Sequence, residues 1–296
     1  MTIIVKPLEA NLPQNWYPKA GYYFNEFVES LKDSEFSIKA KNNLRSETFN
    51  ILGNCSNPNI EEAFISTGVV IGFVQSGKTT SFTALSAAAL DNGYDLIIIL
   101  AGRSNPLYSQ NSNEIRESFS FATNNDKAFI FSLEKEDGDK IKDIENLPLT
   151  YLEKNKIYSK PVISVHLKHQ DHINALTKRL KKERGRLLDT MKVLLIDDEA
   201  DNASLNTLLK DGDKSAIYKS ISNLRNVLKR HSYVEYTATP QALLLSSRDQ
   251  NTSPQWARII SPGEKYVGTS LLFSETSKSK KTIPEKEIFK GTDNIE

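Results

Sequence analysis

Apolar residues along this chain come in short runs, separated by longer stretches in which they recur every three or four positions. Six runs stand out, at 68–72, 95–101, 128–132, 161–166, 192–197 and 233–237. Such runs, rich in Val, Ile and Leu and nearly free of charge, are what strands buried on both sheet faces look like. Helical stretches lie between most of them, including Ser81–Leu90, which is built from good helix formers, and Asn174–Leu188. The alternation predicts an α/β fold of the RecA-like phosphate-loop kind, a mostly parallel sheet with helices on both faces and right-handed crossovers. Ahead of it, Phe24, Phe27, Val28 and Leu31 are spaced for one or two amphipathic helices within 22–52. The expected organisation is a helical N-terminal extension (1–60), a main lobe (61–273) and a linker or tail (274–296). Within the lobe, 133–160 is polar and charged around Glu134-Lys135-Glu136-Asp137 and is expected to be a weakly ordered surface insertion.

The first of these strands runs into Gly72-Phe73-Val74-Gln75-Ser76-Gly77-Lys78-Thr79-Thr80. This matches the phosphate-binding pattern of two glycines with four residues between them, followed by Lys and Ser or Thr. By chance the pattern occurs in roughly one in a hundred chains of this size, and the strand before it and helix after it reduce that chance. N–H groups at the helix start meet phosphate oxygens, and the helix dipole favours their charge. Gly72 and Gly77 permit the tight turn. Lys78 is placed for the β- and γ-phosphates and Thr79 for Mg²⁺, with Gln75, Ser76 and Thr80 completing the cradle.

About 120 residues further on, the fifth strand ends in Val193-Leu194-Leu195-Ile196-Asp197-Asp198-Glu199-Ala200-Asp201. An apolar strand that delivers carboxylates complements a phosphate loop. Asp198 is the candidate on the Mg²⁺ side, and Glu199 the candidate for orienting and deprotonating the attacking water. Asp197 leaves a register ambiguity of one residue. The sixth strand ends in Tyr236-Thr237-Ala238-Thr239-Pro240. Ligands of such sheets bind beyond the C-terminal strand ends, and all three motifs fall there.

Taken in order, the three motifs resemble the first lobe of a superfamily-two helicase or translocase. Asp198–Asp201 spells the signature of DEAD-type helicases, and Thr237-Ala238-Thr239 looks like the motif that links nucleotide state to nucleic-acid contact. The strings Gln75-Ser76-Gly77-Lys78-Thr79 and Asp197-Asp198-Glu199-Ala200-Asp201-Asn202-Ala203-Ser204, with Ile97–Gly102 and Tyr236–Pro240, are more closely similar to the Z-one domain family. The resemblance covers about residues 45–270. It implies a helicase-like ATPase of bacterial restriction-type or anti-phage systems, with DNA favoured as the track and GHKL/MORC-type ATPases or nucleases as partners. ATP rather than GTP follows from this likeness alone. The chain extends only about 55 residues past Pro240, too few for the second lobe that carries an arginine finger. Either the sequence is a fragment of a longer protein, or a partner lobe or subunit would have to supply it. Lacking a finger costs roughly 10³–10⁵ in turnover, so slow hydrolysis is expected of this chain alone.

Composition sets bounds. With 38 Lys and Arg against 37 Asp and Glu, the net charge of +1 forces no basic surface. Nucleic-acid contact would have to be local, and Arg103, Ser104 and Asn105 after the second strand are the candidates, with Gln110 and Arg116 behind them. A nucleotide-gated protein-interaction switch without translocation is the alternative reading. The single cysteine, Cys55, excludes an internal disulfide and fits a reducing cytoplasm. No run approaches the roughly 20 apolar residues of a membrane-spanning helix. His166, His169 and His172 are closely spaced but lack a carboxylate or thiol to complete a metal site.

Overall fold

The computed structural model describes residues 16–60, 65–72, 77–133, 140–154, 156–200, 216–240 and 253–263. The strands are β1 (Ile65–Ile71), β2 (Leu96–Leu100), β3 (Phe129–Phe131), β4 (Val162–His166), β5 (Val193–Asp198), β6 (His231–Thr237) and β7 (Trp256–Ile259). They form one sheet in the order β3-β4-β2-β5-β6-β1-β7, and every neighbouring pair is parallel. All six expected strands are present, and the fold is the expected α/β class.

Strand alternation sorts the side chains into two cores. One face carries Val70, Ile97, Ile99, Leu194, Ile196 and Tyr236, covered by α1 (Tyr22–Ser30), α2 (Ile38–Leu52), α3 (Lys78–Asp91) and α4 (Asn105–Ser118), with the short α5 (Ser120–Asn124). The other carries Leu96, Ile98, Val193, Leu195 and Tyr233 beneath α6 (Lys140–Glu145), α7 (Gln170–Lys181) and α8 (Ala216–Val227). Helix α3 is buried along Ser81–Leu90, wedged between the sheet and the first two helices. That placement explains its all-round apolar, small-residue sequence, which has no polar face to show water.

The N-terminal helices share this core rather than forming a body apart. Asp91, at the end of α3, accepts the backbone N–H groups of Gly21 and Phe24 (2.9 Å each) on one oxygen and that of Tyr23 (2.9 Å) on the other. The N–H groups that α1 cannot satisfy internally are thus capped from a distant helix. A side chain at Gly21 would collide with that carboxylate, its Cβ lying 2.6 Å from Asp91 Oδ1.

Three features depart from the sequence reading. Within the stretch expected to be weakly ordered, α6 and a 3₁₀ turn (Leu149–Leu152) form, and Ile144, Leu147 and Leu149 are fully buried in the second core, while Glu134-Lys135-Glu136-Asp137 lie outside the described residues. Its apolar residues pack into that core, Leu152 with them and Ile141 and Tyr151 against it. Helix α7 starts before Asn174 and stops at Lys181, and Gly185 in the turn beyond it has φ 79°. Strand β7 was not foreseen. It is short, its Trp256 ring covers Gly68 of β1, and a Cβ at Gly68 would sit 2.0 Å from the indole.

The chain divides into a unit spanning Met1–Pro262 and another spanning Gly263–Glu296. The expected linker at 274–296 lies outside the described residues. Among the described residues no helix is long and apolar enough to cross a membrane.

Candidate nucleotide site

Because every strand is parallel, all C-terminal strand ends lie along one edge of the sheet. There the loops after β2, β5, β6 and β1 follow one another. Strand β1 stops at Ile71, and the Gly72 N–H donates to the Thr237 carbonyl (3.0 Å), pinning the start of the phosphate loop to the end of β6. A Cβ on Gly72 would lie 3.0 Å from Lys78 Cγ and from Ile260. Gly77 caps α3 at φ 89°, in the left-handed region that favours glycine. It makes no side-chain cap to the helix start, whose first turn carries Lys78, Thr79 and Thr80. Gln75 and Ser76 lie outside the described residues.

The two aspartates at the end of β5 face opposite ways. Asp198 pairs in register with Tyr236 and lies on the α3 and α4 side, where Asn111 of α4 donates to its Oδ2 (3.2 Å). Asp197 pairs with Glu235 and lies on the other side, buried and ion-paired with Lys168 at 2.5 Å. Its second oxygen accepts the Tyr233 hydroxyl (2.6 Å). Of the two, only Asp198 shares a face with the phosphate-loop helix. Burial raises the Asp198 carboxyl to about 6, Glu199 and Asp197 push the same way, and Lys168 and Lys78 oppose them. Carboxylates crowded and desolvated in this way favour a bound divalent cation, whose charge would hold them ionised.

Glu199 follows with φ 52°, a left-handed backbone unusual for a residue with a side chain. Such a conformation costs on the order of 1–3 kcal/mol and persists only where the surroundings hold it. Its N–H donates to Asp198 Oδ1 (3.0 Å), and it is half-buried.

Thr237 closes the turn after β6, its hydroxyl accepting the Thr239 N–H (2.9 Å). Strand β6 lies between β1 and β5, which puts this turn between the phosphate loop and the carboxylates. Arg103, Ser104 and Asn105 are exposed on the same edge at the start of α4. Arg116 is engaged, bonding Ser132 through Nε (2.5 Å) and Nη2 (3.2 Å), whereas Gln110 is exposed. Asn202 and Ser204 lie outside the described residues.

The donor set fits a polyphosphate with a hard cation: a helix start shaped by glycine, one lysine, a threonine hydroxyl and a buried carboxylate on one face. No protein-family model matches the chain, and no curated protein does. Among solved structures it is similar to the crystal structure of the Pyrococcus furiosus Hef helicase domain, at 16% identity and a TM-score of 0.39, covering 66% of this chain and 35% of that one. It is also similar to FtsY from Mycoplasma mycoides, at 13% identity and a TM-score of 0.29, covering 71% of this chain and 65% of that one. The chain thus spans about a third of the Hef helicase-domain chain. At scores this low neither likeness carries an argument, and the chemistry rests on the residues themselves.

The other candidates have structural work. His169 caps α7 by accepting the Asp171 N–H (3.3 Å), His166 bonds Ser164 (2.6 Å), and His172 is buried in α7. Among the described residues no group of three or more His, Cys, Asp or Glu side chains is placed to hold a metal ion. Cys55 is buried, and burial pushes its thiol up to about 12, which makes it inert. Tyr233 and Tyr236 are packed inside.

Sequence reasoning missed Asn111, Lys168 and the polar layer beneath β5 and β6. In that layer Arg225 of α8 donates to Thr67 (2.7 Å) and lies 4.4 Å from the centre of the Tyr233 ring. Buried Glu235 sits among them, and one of its oxygens lacks a hydrogen-bond partner among the described residues. Desolvation, then Asp197, raises its carboxyl to about 8. A folded-state value above the unfolded one means stability that is complete below about 4.5 and is lost as pH rises through about 8. Melting temperature is therefore expected to fall between pH 6 and pH 9 in the wild type. Glu235→Gln should flatten that fall, and an unchanged slope in the variant would count against a protonated Glu235.

Proposed function

We propose that this chain is the ATP-binding first lobe of a superfamily-two helicase-like motor that acts on DNA, in a bacterial restriction-type or anti-phage system of the Z-one kind. One observation carries the reading: the phosphate-loop helix, Asp198-Glu199 and the Thr237–Thr239 turn share one sheet edge, with the turn's strand between the other two. On this reading Lys78 and the first turn of α3 bind the phosphates, and Thr79 and Asp198 hold Mg²⁺. Bound there, Mg²⁺ neutralises charge on the phosphates. Glu199 orients the water and takes its proton. Arg103, Ser104 and Asn105 form the track contact. The assignment to DNA, to ATP over GTP and to defence rests on the resemblance of the motifs.

The test is nucleotide turnover by the longest native form of the protein, with and without duplex DNA, single-stranded DNA and RNA. Stimulation by DNA that declines steeply with salt supports the motor, because phosphate contacts release counterions. Stimulation by RNA alone would move the track to RNA. Turnover indifferent to every nucleic acid would favour a nucleotide-gated interaction switch. That alternative draws support from the near-zero net charge and from the engagement of Arg116 with Ser132.

A further inference from the structure

We propose that Lys168, a buried amine on the loop after β4, is a positioning residue that holds the Asp198-Glu199 turn in its working shape, with Asp197 as its counter-ion. The inference rests on the reading of Asp198 and Glu199 given above. The ammonium group donates hydrogen bonds to the carbonyl of Asp198 and to the carbonyl of Glu199 (3.0 Å), and is ion-paired with the carboxylate of Asp197 at 2.5 Å. Both charged side chains are fully shielded from water, so the partners cannot be exchanged for solvent. The lysine's own backbone is fixed too, its N–H donating to the Gly102 carbonyl (2.9 Å).

Stability alone does not account for this arrangement. A buried ion pair is commonly no better for folding than apolar side chains of similar volume. What apolar side chains cannot do is donate to two successive carbonyls. Those carbonyls belong to the two carboxylate residues, and Glu199 has the left-handed backbone that needs external support. The amine ties the turn's main chain from the side facing away from α3, leaving the Asp198 carboxyl on the α3 side. This also accounts for the doubled aspartate: Asp198 serves the site, and Asp197 neutralises the amine that shapes it.

The experiment compares wild type, Lys168→Met and the double variant Lys168→Met/Asp197→Asn. It measures melting temperature, affinity for a fluorescent ATP analogue with Mg²⁺ and with EDTA, and single-turnover hydrolysis. Lys168→Met leaves a buried carboxylate unpaired and should melt several degrees lower. The double variant removes both charges and should melt close to wild type. It should still bind the analogue in EDTA like wild type, but lose most of the gain in affinity that Mg²⁺ gives and about 10²-fold in hydrolysis, the scale of a misplaced catalytic group. A double variant with wild-type Mg²⁺ gain and hydrolysis would overturn the inference and make Lys168 a counter-ion only. If wild-type hydrolysis is too slow to follow, the Mg²⁺ gain decides by itself. Failure of the underlying reading looks different: wild type would then bind the analogue no better than Lys78→Ala does.

Discussion

Glu199→Gln is expected to lower single-turnover hydrolysis by about 10²–10⁴-fold, the usual worth of a positioned general base, while nucleotide affinity stays within about threefold. The amide keeps the size of the side chain and can still hydrogen-bond a water, but it cannot accept the proton. The backbone should keep its shape, because Lys168 donates to the carbonyls of Asp198 and Glu199. The effect therefore belongs in the chemical step. Rapid mixing of excess protein with trace labelled ATP reads that step directly and avoids product release. A variant that hydrolyses within threefold of wild type would remove Glu199 from the mechanism. Asp198→Asn should behave differently, losing the Mg²⁺-dependent part of nucleotide binding as well.

How far these roles were legible in the sequence follows from what kind of signal each one leaves. The sheet was legible because strands buried on both faces are apolar at every position, and β2, Leu96-Ile97-Ile98-Ile99-Leu100, has no other plausible place. The phosphate loop was legible because its chemistry demands fixed residues at fixed spacing. Lys168 was not. It lies 30 residues from Asp198 in a stretch with several lysines, and only the sheet order, with β4 and β5 on either side of β2, brings it to the turn. Asn111 was hidden for the same reason, one Asn on a polar helix. The region 140–152 misled because the charged run leading into it, Glu134-Lys135-Glu136-Asp137-Gly138-Asp139-Lys140, masks its apolar content. Its Ile141, Ile144 and Leu147 recur every three residues, a pattern that survives when the flanking Glu and Lys are set aside. Strand β7 is too short to carry a pattern, and three of its four residues are exposed.

Lys78→Ala tests the site as a whole, and it should reduce nucleotide affinity about 10- to 100-fold and leave no measurable turnover. The estimate comes from a charge-assisted bond to phosphate, worth about 1.5–3 kcal/mol, where each 1.4 kcal/mol is a tenfold change. The backbone N–H groups at the start of α3 survive the substitution, so weak binding should persist. Removing the side chain also takes away one of the two cations that hold the Asp198 carboxyl down, the other being Lys168. Asp198 then becomes easier to protonate, and its Mg²⁺-dependent contribution should fade at a higher pH in the variant than in wild type. Titrating the fluorescent analogue with Mg²⁺ from pH 8 to pH 5.5 separates the two effects. A uniform loss across that range means Lys78 acts only on the phosphates. A loss that grows as pH falls means the lysine also keeps the carboxylate ionised. Affinity equal to wild type throughout would show that the loop does not hold a nucleotide, and the motor reading would fall with it.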